Sequence, residues 1–166
     1  MQTIRLCLLG GCAALTAAAP PPLLVRHGLS GQMATILAER AVAACAAKGF
    51  SVGAAVTDAH GDPRALVTGN TVSALSVETA LRKARAAAQN GYPTSKLAEA
   101  TTAAPAYAAM LHTLYPEMIF LGGALPVRIG DEVVGAIGVG GASDPAADES
   151  CAQAALAASP ELSSEQ

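Results

Sequence analysis

The sequence predicts an α/β (α+β) protein, an antiparallel sheet with helices packed on it. The hydrophobic period changes along the chain, from three- and four-residue steps to alternation and back. The segments run in the order helix, two strands, helices, two strands, helix. Alanine supplies 39 of the 166 residues, and as the best helix former it favours helices with tightly packed, small-residue interfaces.

The first helix opens at Leu29-Ser30 and runs to about Lys48, with Ser30 as N-cap and Gly49 as the stop. Met33, Ile36, Leu37, Ala41, Ala44 and Cys45 give it one apolar face. Phe50, Val52, Ala54 and Val56 alternate as a strand, and Arg64 to Thr68 returns after the turn Asp58-Ala59-His60-Gly61-Asp62-Pro63. A long helix spans about Ser73 to Asn90 and ends at Gly91. Lys96 to Leu114 is helical again and broken at Pro105. Leu125–Ile129 and Glu132–Val139 form a hairpin across the two-residue turn Gly130-Asp131. Ser143 or Asp144 caps a last helix with Pro145 near its first position.

A chain of this length forms one domain and buries roughly two-thirds of its unfolded surface. A net charge of −3 argues against a nucleic-acid binder. High hydrophobicity with little net charge excludes a disordered chain. No run of 18 unbroken apolar residues provides a spanning helix.

The N-terminus has the layout of a secretory signal, with Arg5 before an apolar stretch from Leu6 to Ala19. Cleavage is expected near Ala18. The expected divisions are therefore a signal peptide at 1–18, a linker and N-terminal arm at 19–28 with Pro20 to Pro22 in it, a domain at 29–159 and a disordered tail at 160–166. The minority alternative is a lipoprotein anchored through Cys12. The mature protein is expected to be secreted or periplasmic. Cys7 and Cys12 fall in the signal, which leaves Cys45 and Cys151. Buried free thiols packing as small hydrophobes are the favoured reading. A disulfide clipping the first helix to the last is the alternative.

Four stretches, in order, resemble the GlcG/HbpS-like family, also called DUF336 or haem-degrading. They are Ala41-Val42-Ala43-Ala44 leading through Gly49 into Val52 to Gly61, then Ala80-Leu81-Arg82-Lys83-Ala84-Arg85-Ala86-Ala87, then Gly122 to Val127, and last Val134 to Gly141 with Asp148-Glu149 after it. The resemblance covers roughly Leu29 to Ala158. Two departures stand out: Gly140 where the family usually has serine, and Thr68-Gly69-Asn70 where it has an arginine and an acidic residue. The resemblance implies a profilin-like three-layer α/β/α sandwich, a homo-oligomer and non-covalent haem (tetrapyrrole) binding for sensing, storage or scavenging. Oxidative haem breakdown is the only activity it suggests, and no catalytic residue is assigned.

Haem needs an axial ligand, an apolar slot and cations for its propionates. Without C-x-x-C-H, covalent attachment is excluded. The resemblance favours His27 as the iron ligand, with Arg26 beside it for a propionate. The alternative is an exposed histidine on the arm. His112, among Tyr107, Met110, Tyr115 and Met118, is a second ligand candidate, although this spacing more often marks core. His60 reads as a solvent-exposed turn residue. Arg82 and Lys83 are propionate candidates within the only dense basic cluster; otherwise they form a solvated helix face with Glu78 pairing to Arg82. Gly138 to Ser143 before a helix could hold an anion, but tight strand-to-helix packing explains these glycines as well. Asp58, His60 and Asp62 could hold a hard metal loosely; a capped turn needs fewer assumptions. The alternative function is an oligomeric module that binds a protein partner at the cell envelope, or a small organic acid, without haem. No constellation supports a hydrolase or isomerase.

Overall fold

The structure is a computed structural model that describes residues 26–162. The expected signal peptide, Pro20 to Pro22, Cys7 and Cys12 lie outside the described residues. The elements are α1 (Gly31–Ala46), β1 (Gly53–Asp58), β2 (Pro63–Thr68), α2 (Ala74–Asn90), α3 (Thr94–Ala103), α4 (Pro105–Leu114), β3 (Ala124–Ile129), β4 (Glu132–Gly140), α5 (Pro145–Ala157) and a terminal 3-10 turn at Pro160–Leu162. The four strands form one antiparallel sheet in the order β2-β1-β4-β3. α1 and α5 pack on one face and α2 on the other, which gives three layers.

Local chemistry sets the boundaries. Ser30 caps α1 by accepting from the Met33 amide at 3.1 Å, Ser73 caps α2 through Ser76, and Asp144 caps α5 through Ala147. Each removes one orphan donor at a helix start. Gly91 ends α2 in the left-handed conformation with φ 71. Gly130 supplies a positive φ of 56 at the first position of the β3–β4 turn, where a two-residue hairpin loop wants glycine. β1 starts at Gly53, later than alternation from Phe50 suggests, because the ladder to both neighbours begins there, with Gly53 opposite Thr68 and Gly140.

The two sides of the sheet are packed differently. On the α1–α5 side, Leu37, Val52, Val56, Val127, Ile137 and Val139 are buried with the alanines of both helices. On the α2 side the cluster is almost all alanine, with Leu81 its one large member. A Cβ on Gly138 would stand 2.2 Å from the Ala80 carbonyl oxygen, and one on Gly140 would stand 2.5 Å from that of Ser76. The backbone of α2 lies directly on β4, so the glycines after Val134 serve helix–sheet contact. The Ala142 amide in this stretch donates to Asp148 within the fold, in place of an external anion.

Cys45 and Cys151 are joined in a disulfide with Cα atoms 5.4 Å apart, which corrects the free-thiol expectation. α1 and α5 lie side by side on one face of the sheet, and this adjacency brings the two cysteines to bonding distance. At the start of the expected tail, Pro160–Leu162 form a 3-10 turn. Glu161 forms an ion pair with Arg40 at 3.0 Å, and Leu162 packs against the core. The Arg40 hydrogen bond holds the Glu161 carboxyl below its ordinary value. Residues 163–166 lie outside the described part.

Candidate functional site

The N-terminal arm reaches the sheet because β4 leaves room for it. A Cβ on Gly135 would meet the Thr57 carbonyl and Leu29 Cδ1 at 2.3 and 2.8 Å. Leu29 is therefore buried against a glycine notch, and its packing fixes the residues just before it. His27 Nδ1 lies 2.8 Å from Glu132 Oε2 at the start of β4. Both side chains remain about half exposed, at 53% and 40%.

Around this pair a cleft of about 350 Å³ opens between the arm, the β1–β2 turn and the start of β4. Arg26, His27, His60, Arg64 and Glu132 bring its charged and titratable groups together with Asp58, while Leu29, Val133 and Val134 supply apolar wall. Asp58 is used internally: its Oδ1 accepts from the amides of His60 and Asp62. The turn is thus capped by its own carboxylate, and His60 is the exposed turn residue expected, although it also lines the cleft. Among the described residues, no three His, Cys, Asp or Glu side chains group to hold a bare metal ion.

The cleft unites Arg26 and His27 but leaves out the other candidates. Lys83 is neither a propionate partner nor part of a solvated face. It is 1% exposed, and its Nζ donates to Asp148 Oδ2 at 2.8 Å and to the Val139 carbonyl at 3.1 Å. A helix lying on a sheet turns one side inward, and Lys83 falls on that side of α2, where the ion pair compensates its burial. Arg82 is likewise committed, donating to the Pro116 carbonyl in place of the expected Glu78. His112 is exposed on α4 with its ring tilted against Phe120 at 5.6 Å, away from the lining of the cleft. Sequence reasoning missed Arg64 and Glu132. Glu132 is 105 positions from His27, a separation that no local pattern reports.

The architecture defines a class: a three-layer α/β/α domain with a histidine- and arginine-lined cleft at its arm. The chain belongs to the HbpS-like family, since the model for "haem degrading protein HbpS-like" matches residues 29–157. A crystal structure of HbpS is 34% identical, with a TM-score of 0.76, over 86% of this chain and 97% of that one. A double mutant of HbpS from Streptomyces reticuli is 33% identical with a TM-score of 0.74 over the same shares. A PduOC:heme complex shares 24% identity and a TM-score of 0.71, over 80% of this chain and 95% of that one, and shows the same fold. No curated protein matches the chain.

Proposed function

We propose that this chain is an exported protein that binds haem non-covalently in the arm cleft, for sensing, storage or scavenging. The observation that carries the reading is the His27–Glu132 pair. A carboxylate that accepts from Nδ1–H fixes the ring and its tautomer, which leaves the Nε2 lone pair for a metal. The donor set fits the group: one imidazole for iron, Arg26 and Arg64 for two carboxylates, and Leu29, Val133 and Val134 as apolar wall. The cleft volume lies at the low end of ligand sites, which run from about 300 to 1,000 Å³.

Membership of a haem-degrading family and a haem-bound structural neighbour support the reading. When bound, haem would supply the iron for any oxidative breakdown, and His27 would hold that iron while Arg26 and Arg64 would meet its carboxylates. The disulfide supports export, because such bonds persist in oxidising compartments. α4 supports self-association: it has no buried residue, and Tyr107, Met110 and Leu114 expose a stripe on it.

Haemin titration of the chain from Ala19, followed in the Soret region, tests the proposal. Saturable one-to-one binding whose spectrum changes in His27→Ala is expected. A change on losing only His112 would move the site. Absent saturable binding would leave the arginine pair as an organic-acid site in a module without haem.

A further inference from the structure

A second cleft, of about 940 Å³, runs between α3 and α5 on a different part of the molecule. Its walls are mostly apolar, from Ala98, Ala103, Leu121, Pro145 and Ala146. Its charged lining residues are all carboxylates (Glu99, Asp144 and Glu149), and no lysine, arginine or histidine lines it. We propose that this cleft is a separate binding site for a small organic cation, an apolar body carrying one amine or quaternary ammonium group.

Shape and charge point the same way. The volume lies within the range of about 300 to 1,000 Å³ typical of ligand sites. Apolar walls focus the field of a carboxylate on a bound cation, and here the half-buried Glu149 does this more than the exposed Glu99 and Asp144. Glu149 is fixed in place, since Ser95 donates to it through both its amide and its hydroxyl, and the Gly123 amide donates as well. Asp144 is held as the cap of α5. Lys96 pairs with Glu99 at 3.1 Å, but both are about two-thirds exposed, and such a pair is weak enough for a ligand ammonium to replace it. The same carboxylates oppose the two propionates of haem, so the acidic cleft and the arginine-bearing arm cleft select ligands of opposite charge. The proposal stands apart from the haem reading.

The probe is the 9-aminoacridine cation, followed by fluorescence anisotropy on the chain from Ala19, with the anion 8-anilino-1-naphthalenesulfonate as the opposing arm. Ala146→Trp fills the cleft from an exposed position and Glu99→Lys reverses one charge of its rim. Thermal melting checks that each variant folds, and Glu99→Lys carries the test if the tryptophan does not fit. We expect one-to-one binding of the cation that weakens with salt. It should fall at least about tenfold in Ala146→Trp and several-fold in Glu99→Lys, with haemin binding unchanged in both. Equal binding of cation and anion, or cation binding indifferent to both variants, overturns the proposal. So does a dimer that takes up no acridine and dissociates on Ala146→Trp, because the cleft is then a subunit interface.

Discussion

Lys83 shows what a residue gains from partners far along the chain. In the sequence it sits between Arg82 and Arg85 and looks solvated; in the fold it is the largest fully buried side chain among the described residues, paired with Asp148 65 positions away. Removing one member of a buried ion pair strands the other charge, at a cost of about 3–5 kcal/mol. Urea unfolding of Lys83→Ala should therefore show a loss of that size. The double change Lys83→Met with Asp148→Leu should recover part of it, because it removes both charges but leaves the Ala142 amide without its acceptor. A loss under about 1 kcal/mol in Lys83→Ala would mean that the pair does not hold these layers. His27 follows the same logic in the opposite setting. Residue type and a place just before the first helix, where the family resemblance expects a histidine, could nominate it, but its orienting carboxylate could not be found, because pairing between the arm and β4 is not encoded in local spacing. Arg64 was overlooked because a charged residue on an edge strand reads as ordinary solvated surface.

Helix and strand identities were legible because they rest on local signals: caps, periodicity and glycine stops. Ser30, Ser73, Asp144 and Gly91 act at the termini where their chemistry belongs. The start of β1 was misplaced because pairing partners, and not alternation, decide where a ladder begins. The α2–β4 contact was half legible. The glycines suggested close packing, but only the fold shows that they face the carbonyls of Ser76 and Ala80. Gly138→Val should consequently cost about 3 kcal/mol or more, since overpacking a close-packed contact forces the backbone apart. Gly28→Ala, with nothing within 4 Å of the added atom, is the control and should leave the denaturation midpoint almost unchanged. A tolerated Gly138→Val would mean that α2 stands further from the sheet than described.

Across the whole molecule, alanine sets the packing and one covalent bond spans it. A domain whose α2 layer buries mostly methyl groups gains little apolar area per residue, and the disulfide closes a loop of 106 residues between α1 and α5. The Cys45→Ser, Cys151→Ser double variant should lose about 2–5 kcal/mol of stability, with a lowered melting temperature that reductant no longer shifts. A wild-type chain indifferent to reductant while the bond is shown to open would contradict this role. The sequence offered both fates for these cysteines, since helix adjacency in space decides between them. The central claim, an arm cleft that takes haem through His27, is tested most directly by haemin titration of wild type beside His27→Ala and Glu132→Gln. If haem sits on His27, the Soret change should disappear in His27→Ala, and binding should be about 10- to 100-fold weaker in Glu132→Gln, where the orienting partner is impaired. Wild-type spectra and affinities retained in both variants would contradict it.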